Sequence, residues 1–158
     1  MKWMRLVWVL LICSFALTAL TAFAQEPSKG TMDAVRDSLK AQRKAFIGVN
    51  MELTEAEDAK FWPVYESYQK DLGKINEKIA AMIVDYAKNF ETLTNEKASE
   101  LLKTNLALEG ELLKLKESYL PKFGAVLPAK KVARYYQLEN KIQAVMRYDL
   151  AEKIPLVK

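Results

Sequence analysis

Residues 53–86, LTEAEDAKFWPVYESYQKDLGKINEKIAAMIVDY, decide the fold. Thr54 stands where a helix N-cap accepts from the N–H of Glu57, and the Glu57 carboxylate is placed to reach back to the N–H of Thr54, a capping box. Beyond it Phe61, Tyr65, Tyr68, Leu72, Ile75, Ile79, Met82 and Tyr86 follow one another at steps of four and three. That rhythm keeps one side of a helix turned to one partner and predicts an antiparallel coiled-coil hairpin. A helix from Glu55 to about Phe90 would be roughly 50 Å long. Pro63 is expected to kink it, because proline removes a helix hydrogen bond and clashes with the preceding turn.

Working outward, Leu93-Thr94-Asn95-Glu96 supplies a break and a new N-cap at Thr94, with Glu96 near the positive end of the next helix. That helix carries Leu101, Leu108, Leu112, Leu115 and Tyr119 in the same rhythm, flanked by Leu102, Leu106, Leu113 and Leu120. Asn105 on this seam reads either as a polar register-setting residue or as a solvent-facing one. A last helix begins near Leu127-Pro128, shows Val132, Tyr135, Leu138, Ile142, Val145 and Met146 on one face, and ends before Pro155. A shorter first helix, from about Thr31 to Gly48, ends at a Gly48-Val49-Asn50 break. No segment alternates with period two long enough to be a strand, so the expected class is all-α. The architecture expected is a long kinked hairpin with two shorter flanking helices at its ends. Such a hairpin has little interior of its own and is expected to bury its remaining apolar surface by forming a homodimer.

The chain opens with the basic segment Met1-Lys2-Trp3-Met4-Arg5, an apolar run from Leu6 to Leu20 and the triplet Ala22-Phe23-Ala24. That order is a secretory signal peptide, residues 1–24, cut after Ala24. A polar, turn-rich segment, residues 25–30, precedes a single helical domain, residues 31–158. An uncleaved inner-membrane anchor is the alternative, since the apolar run is only just long enough to span a bilayer. Cleavage removes Cys13, the single cysteine, together with Lys2 and Arg5, leaving 22 basic against 20 acidic side chains. So small an excess gives no argument for nucleic acid.

With no histidine in the chain and no cysteine beyond the leader, the usual zinc ligands, general base and thiol nucleophile are missing. Glu52, Glu55, Glu57 and Asp58 read as an acidic first turn facing the helix dipole rather than as a cation site. No phosphate-binding glycine loop or nucleophile elbow is present. No enzyme activity, metal or cofactor is expected.

A signal peptide, about 130 mature residues, a short first helix, Leu53-Thr54-Glu55-Ala56-Glu57 and a long hairpin together resemble the Spy/CpxP-like periplasmic proteins, named for a Leu-Thr-x-x-Gln motif. Glu57 replaces the glutamine, and the second copy of the motif, Leu127-Pro128-Ala129-Lys130-Lys131, keeps the leucine. The resemblance implies a cradle-shaped homodimer that either holds unfolding client proteins without ATP or dampens an envelope-stress sensor. The surface expected to do so is on the first helix, where Arg36, Lys40, Arg43 and Lys44 lie beside Val35, Leu39, Phe46 and Ile47. Charges there would steer an encounter and apolar groups would adhere. Lys130, Lys131 and Arg134, before Tyr135 and Tyr136, offer a second basic group, and Trp62 beside Pro63 reads as a client contact or as packing over the kink. A scaffolding coiled-coil protein, with or without retention at the inner membrane by an uncleaved signal, is the rival reading, and a basic helix lying on anionic lipid is a third.

Overall fold

The computed structural model describes residues 29–157. The export leader expected over residues 1–24 lies outside the described residues, as do the side chains of 29–33, Val35 and Arg36. Four α-helices follow one another, and no strand occurs among the described residues: α1 (Lys29–Met51), α2 (Glu55–Asn89), α3 (Asn95–Gly124) and α4 (Ala129–Lys153), with one 3-10 turn, Phe90–Thr92, between α2 and α3. The chain divides into two units, one ending at Lys44 and one beginning at Ala45. The described part of the first is the helical segment through Lys44.

The second unit is organised by the hairpin. Both halves of the capping box are present: the Glu57 N–H donates to Thr54 Oγ1 at 3.3 Å, and the Thr54 N–H donates to Glu57 Oε2 at 2.8 Å. Thr94 caps α3, accepting from the Lys97 N–H at 3.2 Å. Between α2 and α3, Tyr119 donates to Asp71 at 2.7 Å, Lys78 pairs with Glu111 at 2.7 Å and Lys97 with Asp85 at 2.8 Å. Residue numbers fall on one helix as they rise on the other, so the two run antiparallel. The seam is uneven. Phe61, Tyr65, Tyr68, Leu72 and Ile75 are buried on α2, whereas Ile79, Met82 and Tyr86 are only half-buried.

The buried end of the seam is aromatic. Phe61, Tyr65, Tyr68, Tyr119, Phe123 and Tyr135 form one cluster, in which the Phe123 and Tyr135 rings lie 4.4 Å apart and Phe61 meets Tyr135 edge-on at 5.3 Å. Such ring pairs contribute about 0.5–1.5 kcal/mol each beyond the area they bury. Ile47, Met51, Leu127, Val132 and Leu138 close the cluster.

Three expectations need correction. The first helix does not stop at Gly48-Val49-Asn50 but runs on to Met51, and Glu52, at φ 51°, turns the chain. The helix passes through Gly48, and a Cβ added there would meet the Trp62 ring at 3.6 Å, an ordinary van der Waals contact. Residues 29 and 30 are helical and not part of a loose N-terminal segment. Finally, α4 does not sit at an end of the hairpin. Gln69 meets Glu139, Lys116 meets Asn140 and Tyr86 reaches Pro155 just beyond α4, so this helix lies along the hairpin, antiparallel to α3. Pro128 is its N-cap, with Leu127 buried beside it, and Pro63 stands exposed within an otherwise continuous α2.

Candidate client- or partner-binding surface

Within the first unit, Leu39 is 59% exposed, and Lys40 and Lys44 are exposed on the same helix. Lys40 pairs with Asp37 at 3.3 Å, one turn away, and both side chains are mostly in water, where such a pair adds little stability. Gln42 donates to Ser38 at 3.2 Å, and Arg43 is half-buried. The side chain of Arg36, the first member of the expected basic stripe, lies outside the described residues.

In the second unit, the α1 residues expected to complete the stripe part company. Phe46 remains 42% exposed, and its carbonyl accepts from Asn50 Nδ2 at 2.7 Å. Ile47 is fully buried and belongs to the core, which removes it from any client surface. The expectation failed because α1 continues for a further turn, putting Ile47 and Met51, four residues apart, on the side that faces the aromatic cluster.

Two of the three cations in the second basic group are committed inside the chain, and Lys130 is exposed. Lys131 bonds the Glu57 carboxylate and also donates to the Glu52 carbonyl at 2.9 Å, while Arg134 pairs with Glu52 at 2.8 Å. One carboxylate, Glu57, therefore serves the α2 cap and anchors α4. The Lys131 ammonium and then the Thr54 N–H hold its pKa below the ordinary carboxylate value. Of the aromatic pair behind these cations, Tyr135 is buried and Tyr136 half-buried with its hydroxyl donating to the Lys116 carbonyl at 2.7 Å. Burial pushes both phenols to higher pKa, helped by the charge of Glu139.

The acidic first turn of α2 is also spoken for. Glu52 and Glu57 meet cations, and Asp58 accepts from the Trp62 indole N–H at 2.7 Å. Among the described residues no cluster of acids is arranged to hold a metal, and no helix is long and apolar enough to cross a membrane. Trp62 packs edge-on against Phe61 at 5.0 Å and Tyr65 at 5.2 Å.

One residue escaped the sequence reading altogether. Glu139 is fully buried, accepting from Gln69 Nε2 at 2.9 Å. A buried carboxylate persists only where polar partners replace its lost water. The available signal was its register: Glu139 follows Tyr135 by four residues and precedes Ile142 by three, on the apolar face of α4.

Two hollows remain. A groove of about 500 Å³ near the far end of the hairpin has Met82, Leu101 and Leu108 among its lining, with Asp85, Glu100 and Glu111 around them. A cavity of about 380 Å³ between the end of α3 and the start of α4 is lined by Leu120, Gly124, Ala129, Val132, Ala133 and Tyr136. No family model, no curated protein and no solved structure matches this chain.

Proposed function

We propose that this chain is an exported, non-enzymatic binding protein of the periplasm, acting without ATP as a holder of unfolding proteins or as an adaptor to an envelope-stress sensor. The observation that carries this is the state of α1 up to Lys44, where Leu39 stands exposed with exposed Lys40 and Lys44 to one side of it. Large apolar side chains left in water mark adhesion surfaces, and flanking cations favour acidic or partly unfolded partners. The signal-like leader and the likeness to Spy/CpxP-like proteins supply the compartment and the class. Two copies acting together, with no metal, cofactor or nucleic acid, complete the proposal.

The decisive assay is light scattering of a reduced, unfolding client. Equimolar protein should suppress aggregation without ATP, and changing Leu39, Lys40, Arg43, Lys44 and Phe46 to Ser should abolish the effect while leaving the helical circular dichroism signal intact. No suppression at a tenfold excess would sink the chaperone function. A scaffolding protein is the rival, supported by a row of exposed leucines on α3 that has the spacing of a helix-pairing face. Mass spectrometry of the N-terminus in fractionated cells separates the two: a soluble chain beginning at Gln25 excludes retention by the leader.

A further inference from the structure

On α3, Leu102, Leu106, Leu113 and Leu120 are each more than half exposed, at 53–60%. At 100° per residue they fall within a narrow arc, about 120° round the helix from the seam that faces α2. From Leu102 to Leu120 the row covers eighteen steps of the helix, about 27 Å, or five turns. The leucines that pack the hairpin, Leu108, Leu112 and Leu115, are on the other arc and are buried or half-buried.

Two further features lie beside this arc, on one flank of it. Gly110, near the middle of the row, sits inside a helix, where glycine costs stability. Nothing within its own chain requires it, because a Cβ built there meets no atom within 4 Å. Gly73 on α2 also faces open space, but its helix neighbours are Gln69, Lys70 and Glu77 and not leucines. The second feature is charge. Lys103 and Glu117 are both exposed beside the row, on the same side of it, and among the described residues neither has an ion-pair partner. On the same helix Lys97 is paired with Asp85 and Glu100, and Glu111 with Lys78, whereas exposed Glu109 and Lys114 share the unpaired state of Lys103 and Glu117 among the described residues.

We infer that a second copy of this chain packs antiparallel along the leucine row, crossing at Gly110, with Lys103 of each copy facing Glu117 of the other. A twofold axis beside Gly110 sets Leu102 against Leu120 and Leu106 against Leu113, and the same operation makes the single Lys103–Glu117 match into two. A parallel arrangement would instead place Lys103 against Lys103 and Glu117 against Glu117. For Lys103 and Glu117 the charge order is thus self-complementary in one direction only, as an isologous interface requires. The glycine at the crossing lets two helix backbones approach closely. This pairing specifies the dimer part of the proposed function and does not depend on client binding.

The protein produced from the full chain, purified as the cell processes it, provides the test. Sedimentation velocity should show a dimer at about 100 µM. Leu106→Glu with Leu113→Glu should give a monomer with unchanged helical circular dichroism, since both positions are exposed. Lys103→Glu should weaken the dimer by about tenfold, and Lys103→Glu with Glu117→Lys should restore it. In a Cys13→Ser background, Gly110→Cys should yield a disulfide-linked dimer, whereas Ser118→Cys, on another side of α3, should not. A monomeric wild type, a dimer that survives the two glutamates, or a charge swap that fails to restore pairing would each overturn the inference. Oligomeric state decides the pairing and client scattering decides the chaperone function, so either can fail alone.

Discussion

The two ends of the hairpin share one sequence rhythm and differ in what covers them. At the end holding Phe61, Tyr65 and Tyr68, the seam is sealed by Phe123, Tyr135 and the last turns of α1. At the other end Ile79, Met82 and Tyr86 occupy equivalent steps, yet they remain half-buried beside an open groove, with Lys78–Glu111 and Lys97–Asp85 bridging the helices. A heptad-like pattern specifies which side of a helix faces a partner. It does not specify how many partners arrive, and stability follows the second quantity.

The most severe way to break the contrast is to empty the sealed end. Phe123→Ala should cost about 3–5 kcal/mol in urea denaturation, while Met82→Ala at the open end should cost roughly 1–2 kcal/mol because part of its surface is already in water. Equal losses would mean that the two ends are equally packed. Next in size is the buried acid. Glu139→Ala should cost about 1–3 kcal/mol by stranding the Gln69 amide, and Glu139→Gln, which still offers an acceptor, should cost less than about 1 kcal/mol.

The cap where α4 is anchored comes third. Thr54→Ala should lose about 1 kcal/mol. Its partner Glu57 gives the same site a pH signature. The native state holds the Glu57 pKa below its ordinary value of 4.5, so this contribution is present above about pH 4.5 and disappears as pH falls through the native value. Asp71, held down by Lys74 and then Tyr119, behaves alike. Acid titration of the helical signal should therefore show a loss that Glu57→Gln blunts. In alkali the sign reverses. Burial, and then its bond to Asp71, raises Tyr119 from 10 to about 12, so stability should fall between those pH values, and Tyr119→Phe should flatten that limb. Smallest of all, Lys78→Ala at the open end should change stability by under about 1 kcal/mol and only at low salt.

Much of this was legible beforehand for definite reasons. The cap at Thr54, the seam from Phe61 and the cap at Thr94 each depend on residues within one or two turns of one another, and local rules read them. What failed was the reading of single residues with a remote partner. Gly48 looks like a stop, but the helix runs through it to Met51, with Trp62, fourteen residues on, beside it. Ile47 changed from surface to core as a result. Lys131 and Arg134 look like a free basic patch, yet their carboxylates lie more than seventy positions away at Glu57 and Glu52. Glu139 was overlooked for the same reason, since its partner Gln69 is on another helix.

The approach of Trp62 to Gly48 also has an optical consequence. The sequence has three tryptophans, and the other two, Trp3 and Trp8, fall within the proposed leader. In a chain cut after Ala24, as proposed, the emission comes from a single indole, bonded to Asp58, set edge-on against two rings and lying beside Gly48, where the end of α1 meets α2. Any event that lifts the last turns of α1 from the aromatic cluster will change the colour and lifetime of that emission, giving the protein an intrinsic reporter of its own docking without a label.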